Sequence, residues 1–328
     1  MRVLVTGGAG FIGHHLIEHC LRMTKYELVI LDRLDISGSL HRLHEVMQNA
    51  SESQCRRVSW VYHDFKAPIN EYANKAIGHV DAIFHLGAST HVDRSIDDPI
   101  SFVYDNVVGT ANILWWMKQF APKSILIYFS TDEVFGPAKE GEAFKEWDRY
   151  HSTNPYSASK AGGEELCLAF ANTYGLDIRI SHCMNVFGER QHKEKFIPLV
   201  VGKVLNGEIV SIHANKERTK AGSRFYIHAR NVADAVLFVL EHGVAQEKYN
   251  IVGMKEVDNL TLAQMIADLI EKPLKYELVD FHSSRPGHDL RYALNGSKLA
   301  SMGWIAPVHF EASLEKTIKW TLNNSQWL

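Results

Sequence analysis

Tyr156 and Lys160 stand four positions apart in the run Tyr156-Ser157-Ala158-Ser159-Lys160. On a helix that spacing puts both side chains on one face. A lysine charge there favours ionisation of the phenol and makes it a base for a hydroxyl proton. Asp132 and Glu133, in Ser130-Thr131-Asp132-Glu133 at the end of an expected strand, add a second acid/base pair. Oxidation of an alcohol needs only the first pair, whereas oxidation followed by loss of water uses both. Adjacent carboxyls can split their pKa values because like charges disfavour double ionisation, so one can donate while the other accepts. Acids also cap turns after strands, and Y-x-x-x-K is common on exposed helices. The two signals together, at this separation, favour chemistry.

A second constellation reads as a dinucleotide site. Arg2 to Thr6 forms a short apolar strand, Gly7-Gly8-Ala9-Gly10-Phe11-Ile12-Gly13 follows, and His14 to Met23 is helical in pattern. Gly7, Gly10 and Gly13 permit a tight turn and bring peptide N–H groups and a helix N-terminus against a diphosphate. Asp32 ends the next strand, where a carboxylate binds ribose hydroxyls and repels a 2′-phosphate. NAD is therefore expected over NADP, with Arg33 the one neighbouring feature that speaks for phosphate.

Those residues must be held by alternating elements. Strands are expected at 2–6, 27–31, 58–62, 81–86, 124–130 and 177–183, with helices at 11–23, 100–120 and 155–174. The alternation predicts an α/β fold, a doubly wound parallel sheet of the Rossmann kind with a smaller C-terminal α/β substrate lobe. We expect residues 1–180 to form the NAD-binding domain, with 223–252 returning to it. Residues 181–222 and 253–328 would form the lobe that binds the substrate.

Composition supports a cytoplasmic enzyme. The chain has 328 residues and a formal net charge of −3, which gives no reason to expect nucleic acid or a membrane surface. Its four cysteines form no C-x-x-C pair and suggest reduced thiols, with no metal site. The first apolar run is broken by glycines and does not resemble a signal peptide. His41, His44 and Glu45 have a helical spacing that suits a metal, but a solvated helix face is the better reading. Trp115 and Trp116 read as packing or a subunit interface.

Beyond these motifs the chain resembles an extended short-chain dehydrogenase/reductase, and within that group the nucleotide-sugar 4,6-dehydratases of the dTDP-glucose type. The resemblance is carried by the glycine loop, Asp64-Phe65, His85 to Ala88, His91-Val92-Asp93-Arg94-Ser95, Asn106 to Thr110, Ser130 to Gly136, Tyr156 to Lys160, Phe196 to Leu199 and Arg285-Pro286-Gly287-His288-Asp289. It implies catalytic roles for Thr131, Asp132, Glu133, Tyr156 and Lys160. It implies an NAD site of Gly7, Gly10, Phe11, Ile12, Gly13, Asp32, Asp64, Phe65, Leu86, Ala88, Tyr156 and Lys160. Asn185, Lys203, Arg224, Asn231, Arg285 and Tyr292 would surround the nucleotide diphosphate. A homodimer formed by the 100–120 and 155–174 helices is implied by resemblance alone.

The implied reaction dehydrates a nucleoside-diphosphate hexose to its 4-keto-6-deoxy form. Three departures from the type leave base and hexose open: Ser89 replaces an acid, Asn185-Val186 a double asparagine, and Arg224-Phe225-Tyr226 an Arg-Asp-Trp. A 4-epimerase uses the same fold, NAD and Tyr/Lys pair, but has no use for acids beside the threonine. A 5,6-dehydratase that returns hydride to C4 shares the early steps and stays open.

Overall fold

The computed structural model describes residues 1–35, 37–280 and 290–328. Thirteen strands lie among the described residues: β1 Arg2–Thr6, β2 Glu27–Asp32, β3 Val58–Tyr62, β4 Ala82–His85, β5 Ile125–Thr131, β6 Asp177–Cys183, β7 Val186–Phe187, β8 Val210–Ala214, β9 Ser223–Phe225, β10 Ile227–His228, β11 Lys248–Ile251, β12 Glu256–Asp258 and β13 Tyr276–Asp280. Seven form one sheet in the order β11-β6-β5-β4-β1-β2-β3, and every neighbouring pair in it is parallel.

Side-chain alternation explains why these strands are apolar throughout. Val3, Val5, Leu28, Ile30, Phe84 and Ile127 enter one core with the helices Phe11–Met23 and Ala229–His242. Leu4, Val29, Leu31, Ile83, Leu126 and Tyr128 enter the opposite core with Gly109–Phe120 and Pro155–Tyr174. A sheet covered on both faces leaves no strand position for water, so both sets are hydrophobic. The order reverses between β1 and β4, and the crevice beyond the carboxyl ends of these strands is where such sheets bind ligands.

A third core gathers Ile197, Val200, Val201, Ile212, Val257, Leu262, Ile266, Leu314 and Ile318. It joins the helices Phe196–Asn206, Asn259–Ile270 and Phe310–Asn323 to the parallel pair β8 and β13. The short pairs β7 with β10 and β9 with β12 run between this core and the large sheet's edge.

The expected 100–120 helix is not continuous α. Pro99–Val103 is α-helical, Tyr104–Val108 forms a π turn, and Gly109–Phe120 resumes the α-helix. A π turn inserts one residue and rotates the helix face. As a result the adjacent Asp105 and Asn106 are both buried and both reach the loop after β4. Asp98 caps the segment by accepting from Ser101 N at 3.1 Å, with Pro99 in the first turn.

Candidate active site

The glycine loop follows β1 directly. Gly7 has φ +69°, in the left-handed region that glycine favours, and a Cβ there would lie 2.7 Å from Gly87 Cα. A Cβ on Gly13 would lie 2.3 Å from the Gly7 carbonyl oxygen, so any larger residue would push the helix off the loop. The space kept free by these hydrogens is a cradle for a diphosphate. Asp32 closes the same end of the cleft, its Oδ2 accepting from Ala9 N at 2.9 Å and its Oδ1 from Leu34 N at 2.8 Å. Burial raises its pKa, and those backbone donors oppose the shift. A glycine cradle with an oriented carboxylate fits a dinucleotide with a free adenosine ribose.

Gly7, Gly10, Phe11, Ile12, Gly13, Asp32, Phe65, Leu86 and Ala88 all line one cleft with Thr131, Asp132, Glu133, Tyr156, Lys160 and Asn185. Asp64 is half-exposed and does not line it, and its carboxylate lies 3.6 Å from the Arg33 guanidinium. The Phe65 ring packs where a Cβ on Gly87 or Gly109 would stand.

The acid/base residues follow β5. Thr131 caps a single 3-10 turn, Asp132–Phe135, and accepts from Glu133 N at 3.3 Å. Its hydroxyl donates to Asp132 Oδ1 at 3.0 Å. Asp132 Oδ2 is buried and has no hydrogen-bond partner among the described residues. Burial, and then the Glu133 charge, push the Asp132 carboxyl up to about 7. Glu133 is half-buried, and its Oε2 accepts from Asn154 Nδ2 at 3.1 Å. Asn154 in turn caps the helix Pro155–Tyr174 through a reciprocal pair with Ser157. Sequence reasoning missed Asn154, although Asn-Pro before a helix is a start signal. It ties the carboxylate to the helix that carries Tyr156.

For the Tyr/Lys pair the structure departs from the expected electrostatics. Burial raises the Tyr156 phenol far above its usual range, the Glu133 charge adds to this, and a hydrogen bond with Thr131 opposes it. Burial brings the Lys160 amine down to about 7, and it sits 4.1 Å over the Tyr128 ring. Burial thus works against the lysine charge that the spacing leads one to expect beside Tyr156. Spacing foresaw the shared helix face but not that both groups are buried.

The residues expected around a substrate diphosphate divide. Asn185 lines the cleft, and its Oδ1 lacks a partner among the described residues. Arg224 donates to the carbonyls of Ser223 and Leu290, each at 2.7 Å, and lies 4.6 Å over the Tyr292 ring. Its charge acts on Asp132, lowering the pKa that burial raises. Tyr292 is buried beside Val134 and Phe135. Lys203 stands apart from the cleft, its amine donating to Ile209 O at 2.9 Å at the exposed end of its helix. Asn231 is buried away from the cleft and donates to Val308 O at 2.7 Å. Arg285, with the rest of Arg285 to Asp289, lies outside the described residues.

Across the mouth of the cleft, Arg94 donates to Glu194 at 2.8 and 3.0 Å. His91 stands 3.6 Å from the same carboxylate. Glu194 is a partner for both that sequence did not suggest. His41, His44 and Glu45 make no metal cluster among the described residues. Glu45 instead accepts from Arg190 at 2.5 Å and from Trp327 at 3.1 Å.

Residues 3–252 match the NAD dependent epimerase/dehydratase family. The chain belongs to that family. Its cofactor is NAD. The chain is 35% identical to a dTDP-glucose 4,6-dehydratase of Escherichia coli, with 100% of this chain and 95% of that protein aligned. It is 36% identical to the enzyme of the same name in Haemophilus influenzae, with 99% of each chain aligned. The crystal structure of dTDP-glucose 4,6-dehydratase from Streptomyces venezuelae, with NAD and TYD bound, superposes with a TM-score of 0.89 at 33% identity, over 100% of this chain and 98% of that one. UDP-glucose 4-epimerase of Thermus thermophilus, in complex with NAD, follows at 0.85 and 27%, with 98% of each chain covered. The superpositions are close in quality, so the fold does not separate dehydratase from epimerase and the site must.

Proposed function

We propose that this chain is an NAD-dependent nucleoside-diphosphate-hexose 4,6-dehydratase that yields the 4-keto-6-deoxy sugar nucleotide for deoxysugar biosynthesis. One observation carries the reading: beside Thr131, a buried aspartate whose Oδ2 has no partner among the described residues adjoins a glutamate tied to the Tyr156 helix. An epimerase moves a hydride at C4 and needs no such pair.

When bound, NAD supplies the hydride acceptor at C4 and the donor at C6. The protein's residues manage the protons. Tyr156 takes the O4 proton as C4 becomes a ketone, and Thr131 holds that end of the sugar. The ketone acidifies the C5 hydrogen, which Glu133 removes. Asp132 protonates the departing 6-hydroxyl, so the C6–O bond breaks and water leaves. Glu133, its proton exchanged with solvent, then reprotonates C5, and the cofactor ends as it began. Gly7, Gly10 and Gly13 hold the dinucleotide diphosphate and Asp32 its adenosine ribose. The lobe around the third core, with Asn185, Arg224 and Arg285, takes the nucleotide diphosphate.

We also propose a homodimer. Ile100, Val103, Tyr104 and Trp115 are exposed at helical spacing along the interrupted helix, an apolar stripe that a second copy would cover. The reading puts the enzyme in the cytoplasm. Its four cysteines are free, as in a reducing compartment, and no helix among the described residues is long and apolar enough to cross a membrane.

The test is incubation with dTDP-, UDP-, GDP- and CDP-hexoses. The expected product is 18 mass units lighter in one of them, carries solvent deuterium at C5 in heavy water, and forms without net NAD consumption. Glu133→Gln abolishes it. A C4-inverted product of unchanged mass would make the chain an epimerase instead.

A further inference from the structure

The adenosine end of the cleft holds a cation that the reaction does not use. Arg33 follows Asp32 and lines the same cleft with Asp35, Ser37 and Asp105. An arginine beside the ribose acid is the group that accepts the 2′-phosphate of NADP in sheets of this kind. Here the guanidinium is engaged elsewhere. Its Nε and Nη2 donate to Asp35 Oδ2 at 2.8 and 2.5 Å. Nη1 and Nη2 donate to the two oxygens of Asp105 at 2.6 and 2.9 Å, a bidentate pair. Four of its five N–H groups are thus used, and Nη1 also lies 3.6 Å from Asp64.

Asp105 reaches this place because of the π turn. It lies 72 residues from Arg33 and is almost fully buried. Ser89 Oγ donates to its Oδ2 at 2.6 Å, so the serine that replaces an acid in the type sequence recruits a carboxylate from the helix. Burial opposes the Asp105 charge, and the Arg33 hydrogen bonds outweigh it, holding the carboxyl below its usual range. The nearby Lys66 amine is shared between Asp64 at 3.5 Å and Asp105 at 3.8 Å. The other arginine at this end, Arg42, donates through Nε to the carbonyl of Arg190 and through Nη1 to those of Ala9 and Ser37. Among the described residues, both guanidinium groups at the ribose end are thus held by protein oxygens.

We propose that Asp105, presented by the π turn and seconded by Asp35, is a coenzyme-selectivity residue. It clamps Arg33 away from the ribose and so excludes NADP, in addition to the repulsion exerted by Asp32. The inference rests on the NAD reading of the cleft and needs no statement about the sugar.

The experiment measures equilibrium binding without turnover. Protein stripped of nucleotide is titrated with NAD and with NADP by calorimetry, for wild type, Asp105→Asn, Asp35→Asn, and Asp105→Asn with Arg33→Ala. Asp105→Asn should raise the NADP-to-NAD affinity ratio by about tenfold, the worth of one charge-assisted hydrogen bond between Arg33 and the 2′-phosphate. Asp32 remains, so NAD still binds more tightly. Arg33→Ala in the same protein should return the ratio to the wild-type value. If Asp105→Asn does not fold, Asp35→Asn on the more exposed side carries the same prediction, at about threefold. A ratio unchanged in every folded single variant overturns the clamp, as does a gain that survives loss of Arg33. Either failure leaves the dehydratase reading intact, and a wild type that releases no water leaves the clamp intact.

Discussion

Asp132 is the residue whose environment makes the strongest demand. Its pKa of about 7 in the fold compares with 3.8 as its ordinary value. The protonated form is the competent one, so kcat should decline as pH rises through 7. Stability has the same sign. Between 3.8 and 7 the folded state keeps a proton that the unfolded state has lost, so stability falls as pH rises through that window, in the limit by about 4 kcal/mol. Asp132→Asn should flatten this slope and raise Tm at pH 8, while lowering kcat for water loss by about a hundredfold or more. Melting curves of both proteins from pH 4 to 8 check it, and parallel pH profiles would count against a buried, titrating aspartate. Sequence announced this pair by adjacency. It could not announce the orphaned Oδ2, which arises because Val134 and Phe135 pull the turn into the core.

Behind the helix Pro155–Tyr174 lies a buried ionic network that the motif search passed over. Glu164 stands one turn after Lys160 and bonds His182 of β6 at 3.1 Å, Lys248 of β11 at 2.9 Å, and the Tyr150 hydroxyl. Lys248 Nζ also donates to Tyr150 at 2.6 Å. Burial works against the Glu164 charge, and His182 and Lys248 overcome it, so its pKa lies below the ordinary 4.5. A lowered carboxylate stabilises above its unfolded pKa and loses that contribution as pH falls through the folded value. Glu164→Gln should therefore cost about 3–5 kcal/mol at pH 7, because it leaves Lys248 buried without its carboxylate. The gap to wild type should narrow as pH falls below the ordinary 4.5, where Glu164 of the unfolded chain gains a proton before the folded one does. Chemical denaturation at pH 7 and pH 3.5 measures both, and a variant as stable as wild type at pH 7 would show the network to be neutral. Strands and helices of the sheet were legible because their patterns are local. The π turn was not, since residues on either side keep a 3.6-residue rhythm and only tertiary contacts reveal the inserted position. Glu164 was equally invisible, its partners lying on strands remote in sequence.

At the scale of the molecule, the exposed stripe of Ile100, Val103, Tyr104 and Trp115 sets the quaternary prediction. Replacing Tyr104 and Trp115 together by Glu should halve the mass seen in sedimentation equilibrium, because charges facing their own copies repel. A wild type already at monomer mass would remove the dimer. The parallel sheet was readable from alternation of strand and helix. The lobe was less so, because its strands are two to five residues long and pair across large sequence gaps. Lys203 and Asn231, expected near the diphosphate, stand away from the cleft, Lys203 on a lobe helix and Asn231 on the helix Ala229–His242 that packs on the large sheet, and nothing local says which way either helix faces.

The turn that holds both carboxyls has neighbours from the far end of the chain. Ala138 N bonds Arg291 O at 3.0 Å and Phe144 N bonds Ala293 O at 2.9 Å, with Tyr292 packed under Val134. The tail segment thus serves as a splint for the proton-transfer machinery. A nucleotide gripped beside this splint would be felt at the sugar although it is never released, so hexose stripped of its nucleotide would be handled slowly as well as held weakly.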